Sequence, residues 1–581
     1  MRLFERFARE FRVLGKRRGF SFEVVLREWK DEGSRRWRRY RVGHKHAVEF
    51  VLRKDYRADW ESEVKEEYTY FTQAEFEACF RRLGLRVLAS TPIRNPWIVR
   101  NRFRGQIALA DLDGKSLEMP ATNYVIVGEK VAPGLGVGFC ETGDAPPSEF
   151  LQLACYEHLR TGRVMDLVRR PHTTIDVLPW FESGGDVFVL GRKSHPRPVL
   201  QCDARGSAPL DGRRLQGYVS EPLFVIQEDK PLGLTVEEAL GEQALIGAES
   251  IRSFRPGGVY YPSPGGIQEE VRSLLVEIEP RFVERHLPNT SGFSSSGQVR
   301  AIEAWQLLRA AQVGGLPDAR LELNVYDLLR KIGRGPGPWI GEAITLGVGE
   351  PAAASAVEGL LRRPPRRMYR RVDVARSGGF LEIAHRNFEE VDAGGSVVAS
   401  QGLSFVVPQP FSFNTVSTAP LRMVDGEALL GIDDFDLPAA QCFNGNSNLL
   451  VAPAWRIPRD VPTMEAARRW ITARLAADYG LRTGEVFELG GPYCPSAGVT
   501  PEIVFPIAVE VLGEGPAQKR LSWVRLRDLV AHLPHIHDGH LRIVTLRAAH
   551  ALGLLGDGEN DDGDRPRELA SPARGAALEC D

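Results

Sequence analysis

Apolar residues along this chain fall into segments of two periods, and the alternation of those periods predicts a mixed α/β protein. Phe71 to Leu83 puts Phe76, Cys79, Phe80 and Leu83 on one helical face, with Thr72 and Glu75 at the spacing of a capping box. Leu85 to Ala89 and Tyr124 to Val127 are β-rich runs bounded by turn residues and predict strands. Asp186 to Leu190, Leu223 to Ile226 and Leu274 to Ile278 predict further strands. Helical spacing is found near Ser148 to Leu159, near Val236 to Ile246 and from Gln298 to Gln312. Farther on, helices are predicted from Met464 to Tyr479 and near His540 to Leu552, with a strand from Val504 to Val511. From Gly556 the chain loses periodicity and mixes charge with Gly, Pro and Ala, the pattern of a disordered tail.

One stretch of this pattern occurs twice. Gly257-Gly258-Val259-Tyr260-Tyr261-Pro262-Ser263-Pro264-Gly265 and its continuation return 233 positions later as Gly490-Gly491-Pro492-Tyr493-Cys494-Pro495-Ser496-Ala497-Gly498, with 10 of 22 aligned positions identical. A duplication follows, and each copy then tests the other. Both keep Tyr-x-Pro-Ser-x-Gly (Tyr260, Pro262, Ser263, Gly265; Tyr493, Pro495, Ser496, Gly498) and a later glutamate, Glu269 or Glu502. Proline and glycine fix the backbone of such a turn, which is reason enough to retain it. A ligand held by the turn is the second reason, and the two are compatible.

Composition narrows the setting. At 581 residues and 64.5 kDa the chain is too long for one core and predicts three or four domains. No run of about 18 apolar residues is present and the first residues lack an apolar signal core, so the expectation is a cytoplasmic protein without a membrane partner. Seven scattered cysteines without a Cys-x-x-Cys pair point to a reducing compartment and away from structural zinc. The net charge of -2 conceals a basic start: residues 1 to 60 hold 18 Lys and Arg against 9 Asp and Glu. That excess suits a nucleic acid or another anionic partner, but interleaved aromatics of a single-strand groove are missing, and a solvated helix face with paired charges is the preferred explanation.

Residues 40 to 130, above all Glu66-Glu67-Tyr68-Thr69-Tyr70-Phe71-Thr72 and Thr122-Asn123-Tyr124-Val125-Ile126-Val127-Gly128-Glu129-Lys130-Val131, resemble the C-terminal half of a class I S-adenosylmethionine-dependent methyltransferase. That resemblance implies a Rossmann-like segment truncated before its cofactor-binding half, so S-adenosylmethionine is not expected as a cofactor. Gly134-Leu135-Gly136-Val137-Gly138 does not replace the missing loop. A phosphate-binding loop needs a helix directly behind it, and here an acidic, proline-broken stretch follows, which suits a linker.

Strands, a helix, a Gly-Ser turn with a downstream glutamate and a strand ending in Val-Glu resemble the Nudix fold. Active members of its ADP-ribose and nucleotide-sugar pyrophosphatase kind carry a box G-x5-E-x7-R-E-U-x-E-E-x-G-U, with U aliphatic. Glutamates one helical turn apart point the same way and hold Mg²⁺ against a diphosphate. Setting Gly480 at the terminal glycine of that box places Glu465 at its first glutamate and Asp478 at its last acid. Arg459, Ala473, Arg474 and Ala477 then replace the opening glycine, the arginine and two glutamates. Setting Ala248 there in the first copy puts Gly241 at the arginine and keeps Glu242, while Leu245 and Ile246 replace the paired acids, so no hydrolysis is expected from it.

The resemblance implies Glu502 as the best remaining base. Asp478 and Glu465 would hold Mg²⁺ through water, and Tyr493, Ser496, Gly498, Tyr260, Ser263, Gly265 and Glu269 would lie near a ligand. A separate cluster, His532-x-x-His535-x-His537-Asp538-x-His540, has residue types that bind zinc. Its spacing departs from that of metallo-β-lactamase-like enzymes by one residue, and a loop leading into the last helix, with Asp538 as its cap, is the preferred reading.

These observations predict an α/β protein in which a truncated Rossmann-like methyltransferase segment (1–131) and a linker with one helix (132–172) precede two Nudix-like α/β/α sandwich domains (173–345 and 368–555). A join (346–367) separates the two and a tail (556–581) follows. The expected function is binding of a nucleoside-diphosphate-type ligand with weak or absent Mg²⁺-dependent pyrophosphate hydrolysis. The alternatives are a noncatalytic scaffold for a partner protein or homodimer, and part of a methyltransferase lacking its cofactor half.

Overall fold

The structure, a computed structural model, describes residues 3–13, 19–30, 36–69, 71–170, 173–193, 195–202, 208–227, 230–282, 285–287, 293, 297–556 and 567–568. Most of the tail from Gly556 therefore lies outside the described residues. The fold is mixed α and β, in two compact units: residues 1–82 with 90–127, and residues 83–89 with 128–581. Among the described residues no helix is long and apolar enough to cross a membrane.

The first unit is built on aromatic packing. Phe7 and Phe11, on and just beyond helix Leu3–Glu10, bury against Trp60 and Val64. The capping box forms as its spacing predicts: Thr72 N–H donates to Glu75 at 2.7 Å and Glu75 N–H donates to Thr72 Oγ1 at 3.3 Å, starting helix Gln73–Arg82. Several of its basic residues stand beside acids, Arg6 with Glu10 and Arg41 with Glu23, both at 3.1 Å.

The second unit contains the duplication, and the two copies match strand for strand. Thr174–Ser183 and Asn414–Val424 are the central strands, each lying parallel to the strand after the repeated turn, Val271–Ile278 or Ile503–Glu514. In register, Thr174 faces Val271 and Thr415 faces Val504. The next strand outward, Ile251–Tyr260 or Leu481–Glu488, pairs antiparallel on the far side. A helix precedes it in each copy, Leu232–Ala244 or Met464–Tyr479. The second of these starts at Thr463, whose hydroxyl caps Ala466 N–H, and stops at Gly480 in the left-handed region. A Cβ there would come within 2.8 Å of Pro516 O, so Gly480 is required on both counts. The first helix stops at Leu245 in the same conformation, a strained backbone for a leucine.

Each copy closes with a 13-residue helix, Ala319–Lys331 or Gly539–Ala551, capped by Asp318 or Asp538. These helices and both sheets share cores that ignore the copy boundary, as where Leu178, Leu275 and Leu328 pack with Tyr493, Val504 and Ile543.

Two segments depart from the periodicity. Near Ser148 to Leu159, where helical spacing occurs, the chain runs as strand Gln152–His158, paired with Val164–Arg169. Its continuous apolar run suits a strand buried on both faces as well as it suits a helix. From Gln298 the chain is strand to Glu303 and only then helix, with the Glu303 carboxylate accepting from Trp305 and Gln306 N–H.

The strand partners reveal an exchange. Gly138–Asp144 precedes the first copy's hairpin yet pairs with Leu381–Val391 in the second copy's hairpin. Tyr369–Val372 precedes that second hairpin yet pairs with Gln152–His158 in the first. Each copy thus donates its leading strand to the other, the arrangement of a strand-swapped dimer within one chain.

Candidate functional site

The repeated turns sit where the two copies meet, and each docks on its opposite. Tyr261 N–H donates to His537 O at 2.7 Å and Gly539 N–H donates to Tyr261 O at 2.9 Å, fixing the first turn to the start of the second copy's last helix. At the matching place Cys494 N–H donates to Pro317 O at 2.6 Å and Ala319 N–H donates to Cys494 O at 3.3 Å.

The same reciprocity governs the side chains. Ser263 Oγ donates to Glu502 at 3.0 Å, and Ser496 Oγ donates to Glu269 at 2.7 Å. Glu502 also accepts from Thr415 Oγ1 at 2.6 Å and stands 3.2 Å from the Arg456 guanidinium. Glu269 stands 2.6 Å from Arg170 and 3.6 Å from Arg320. Both carboxylates are 2 % exposed. Burial pushes each pKa up, but Arg456, the His540 charge and the Thr415 and Ser263 hydroxyls bring Glu502 below the usual value. Arg170, Arg320 and Ser496 do the same for Glu269. Each is thus a charged group with its lone pairs engaged.

The other candidate residues do not join them. Glu465, on the surface of its helix, pairs with Arg469 at 2.9 Å. Asp478 accepts from Arg474 at 2.8 Å and from Trp455 Nε1 at 3.3 Å. Tyr260 is buried against the Arg542 guanidinium, 5.3 Å from the ring centre, and its hydroxyl has no hydrogen-bond partner among the described residues. Tyr493 Oη shares a 2.8 Å hydrogen bond with His540 Nδ1. Gly265 is exposed and Gly498 lies beside Arg197, where a Cβ would approach Nη1 to 2.7 Å.

Among the described residues no three His, Cys, Asp or Glu side chains form a group able to hold a metal ion. Asp478, Glu465 and Glu502, each bound to a different arginine, make no common donor set for Mg²⁺ as they stand. The histidine cluster is divided as well. Asp538 caps His540 and Leu541 N–H as its position predicts, His540 bonds Tyr493, and His532 pairs with Glu358 at 3.0 Å.

Beside Ser496 and Gly498 lies a cavity of about 50 Å³, lined also by Arg170, Arg197, Arg320 and Asp318 from the first copy. Its cations are already matched: Arg197 grips Glu221 at 2.8 and 2.9 Å, and Arg320 grips Asp176. Burial, with Glu221 nearby, pushes the Asp318 pKa up to about 8. Such a space holds a water or two and excludes a nucleotide.

Arg170, Arg320, Thr415 and Arg456 escape a search of the sequence for box residues because each acts on a glutamate far outside its own element. A signal for the docking does exist: Pro317-Asp318 and His537-Asp538 each precede a leucine, Leu321 or Leu541, three residues after the aspartate. A scan against protein-family models and a search of curated proteins each returned no match to this chain.

Proposed function

We propose that the second unit is a fused pair of Nudix-like domains that binds a nucleoside-diphosphate-type ligand and scarcely hydrolyses it. One observation carries the weakness of hydrolysis, while the ligand class rests on the resemblance: Glu502, the best remaining base, and its counterpart Glu269 are consumed as cross-copy locks. Glu502 is held by Ser263, Thr415 and Arg456, so neither a water nor a metal has a free carboxylate oxygen to meet. The departures of the box at Ala473, Arg474 and Ala477 and at Leu245 and Ile246 agree with this.

A noncatalytic scaffold is the second reading, favoured by the shared core and the exchanged strands. Isothermal titration with ADP-ribose and a nucleotide sugar, with and without Mg²⁺, separates the two. Heat of binding without product supports recognition, silence supports the scaffold, and steady release of two monophosphates rejects both.

A further inference from the structure

Away from the turn contacts, a cleft of about 480 Å³ opens in the second copy. It lies between helix Val357–Leu361, the segment from helix Pro438–Asn444 to strand Asn448–Val451, and the turn that leads into the last helix. Its floor is apolar, formed by Leu360, Leu449, Leu450 and Ile536. That volume suits a small organic ligand of nucleotide size, and the floor suits a planar apolar body.

The polar wall is rich in donors. Among the described residues Glu358 is the one carboxylate lining the cleft, and it is occupied: His532 Nε2 lies 3.0 Å away and the Arg362 charge acts on it. The other nitrogen of His532 lies 2.8 Å from Asp528 O, so that ring is fixed at both ends. Arg363 is held by Asp434 behind the wall. His537 stacks on Tyr261 with ring centres 5.5 Å apart and keeps Nδ1 3.3 Å from Val259 O. Arg362 and His535 are exposed at the cleft. Asn448 supplies the most specific sign: its Nδ2 is buried with no hydrogen-bond partner among the described residues, a donor that a ligand acceptor would satisfy.

We infer that this cleft binds a small molecule carrying a phosphate or diphosphate on an apolar planar body. The guanidinium of Arg362, the imidazole of His535 and the Asn448 amide would meet the acceptor-rich end. Leu360, Leu449 and Leu450 would cover the body. The ligand class is shared with the proposal above, but the site rests on separate residues and holds whether or not the turns hydrolyse anything.

The test is isothermal titration of the full chain with ADP, adenosine and inorganic pyrophosphate, repeated on an Arg362→Ala, His535→Ala double variant and on Asn448→Leu. Both substitutions in the double variant are at exposed positions, and an unchanged thermal midpoint confirms its fold. The expected result is saturable ADP binding, at least tenfold weaker for adenosine and for the double variant, with Asn448→Leu also weakened. The inference is overturned by silence with both ADP and pyrophosphate, by adenosine binding as tightly as ADP, or by unaltered ADP affinity in the double variant. Silence with ADP would also count against nucleoside-diphosphate recognition, whereas unaltered ADP affinity in the double variant overturns this site alone.

Discussion

Arg547 closes on Glu322 through two hydrogen bonds, 2.7 Å from Nε and 2.6 Å from Nη2, with both side chains sealed from solvent. Counted from the caps Asp318 and Asp538, Glu322 and Arg542 are both fourth (322 − 318 and 542 − 538), and Asp327 and Arg547 are both ninth. The symmetric partner of the first pair is thus Arg542 with Asp327, whose charges do interact. Two first copies would instead bring Glu322 to Asp327, and two second copies Arg542 to Arg547. The charges favour the unlike pair and oppose either like pair.

Breaking this pair from one side leaves a buried charge without its partner. Glu322→Gln or Arg547→Met is therefore expected to cost about 3–5 kcal/mol in denaturant unfolding. The exchanged double variant, Glu322→Arg with Arg547→Glu, is expected to recover part of that loss.

The locks at the turns predict an acid-side instability. Both Glu269 and Glu502 have folded pKa values below the ordinary one, about 4.3 for an unfolded glutamate. Their stabilisation is fully present above that value and is lost as pH falls through the lower folded values. Glu269→Gln and Glu502→Gln should flatten the acid limb of a stability-against-pH curve, and Ser263→Ala should cost about 1.5–3 kcal/mol at neutral pH through its bond to a charged group.

Asp318 works in the opposite direction. Its pKa rises from the unfolded value, about 3.9, to about 8 in the fold, so stability falls as pH climbs between those values. Asparagine caps a helix as well as aspartate. Asp318→Asn should therefore leave stability nearly unchanged only below the unfolded value and raise it by a margin that grows from pH 5 to pH 8, as read by thermal or denaturant midpoints.

The strand exchange predicts that the copies stay together without their covalent join. A protease site placed in the stretch 351–355, where no strand or helix runs, should allow cutting without separating the halves on gel filtration. Separation into two smaller particles of unequal size would count against the exchange.

Much of the local structure was legible in the residues themselves. The Met464–Tyr479 helix follows from its spacing, the last helix from Asp538, and the turn from its repetition. What escaped depends on partner choice. Ser263 finds Glu502 across 239 positions, and Ser496 finds Glu269 across 227. Strand Gln152–His158 pairs with its neighbour Val164–Arg169 and also with 369–372, a second partner far beyond any window of periodicity. Nor does the sequence order the cleft, because its donors come from three separated segments brought together by the fold.

The most direct measurement is a turnover assay with ADP-ribose and Mg²⁺ on the full chain and on a Glu502→Gln variant, alongside unfolding curves for both. Glutamates used as locks predict no monophosphate above background for either protein and a clear loss of stability in the variant. Steady release of AMP and ribose phosphate by the unaltered chain, abolished in a variant of equal stability, would contradict the account.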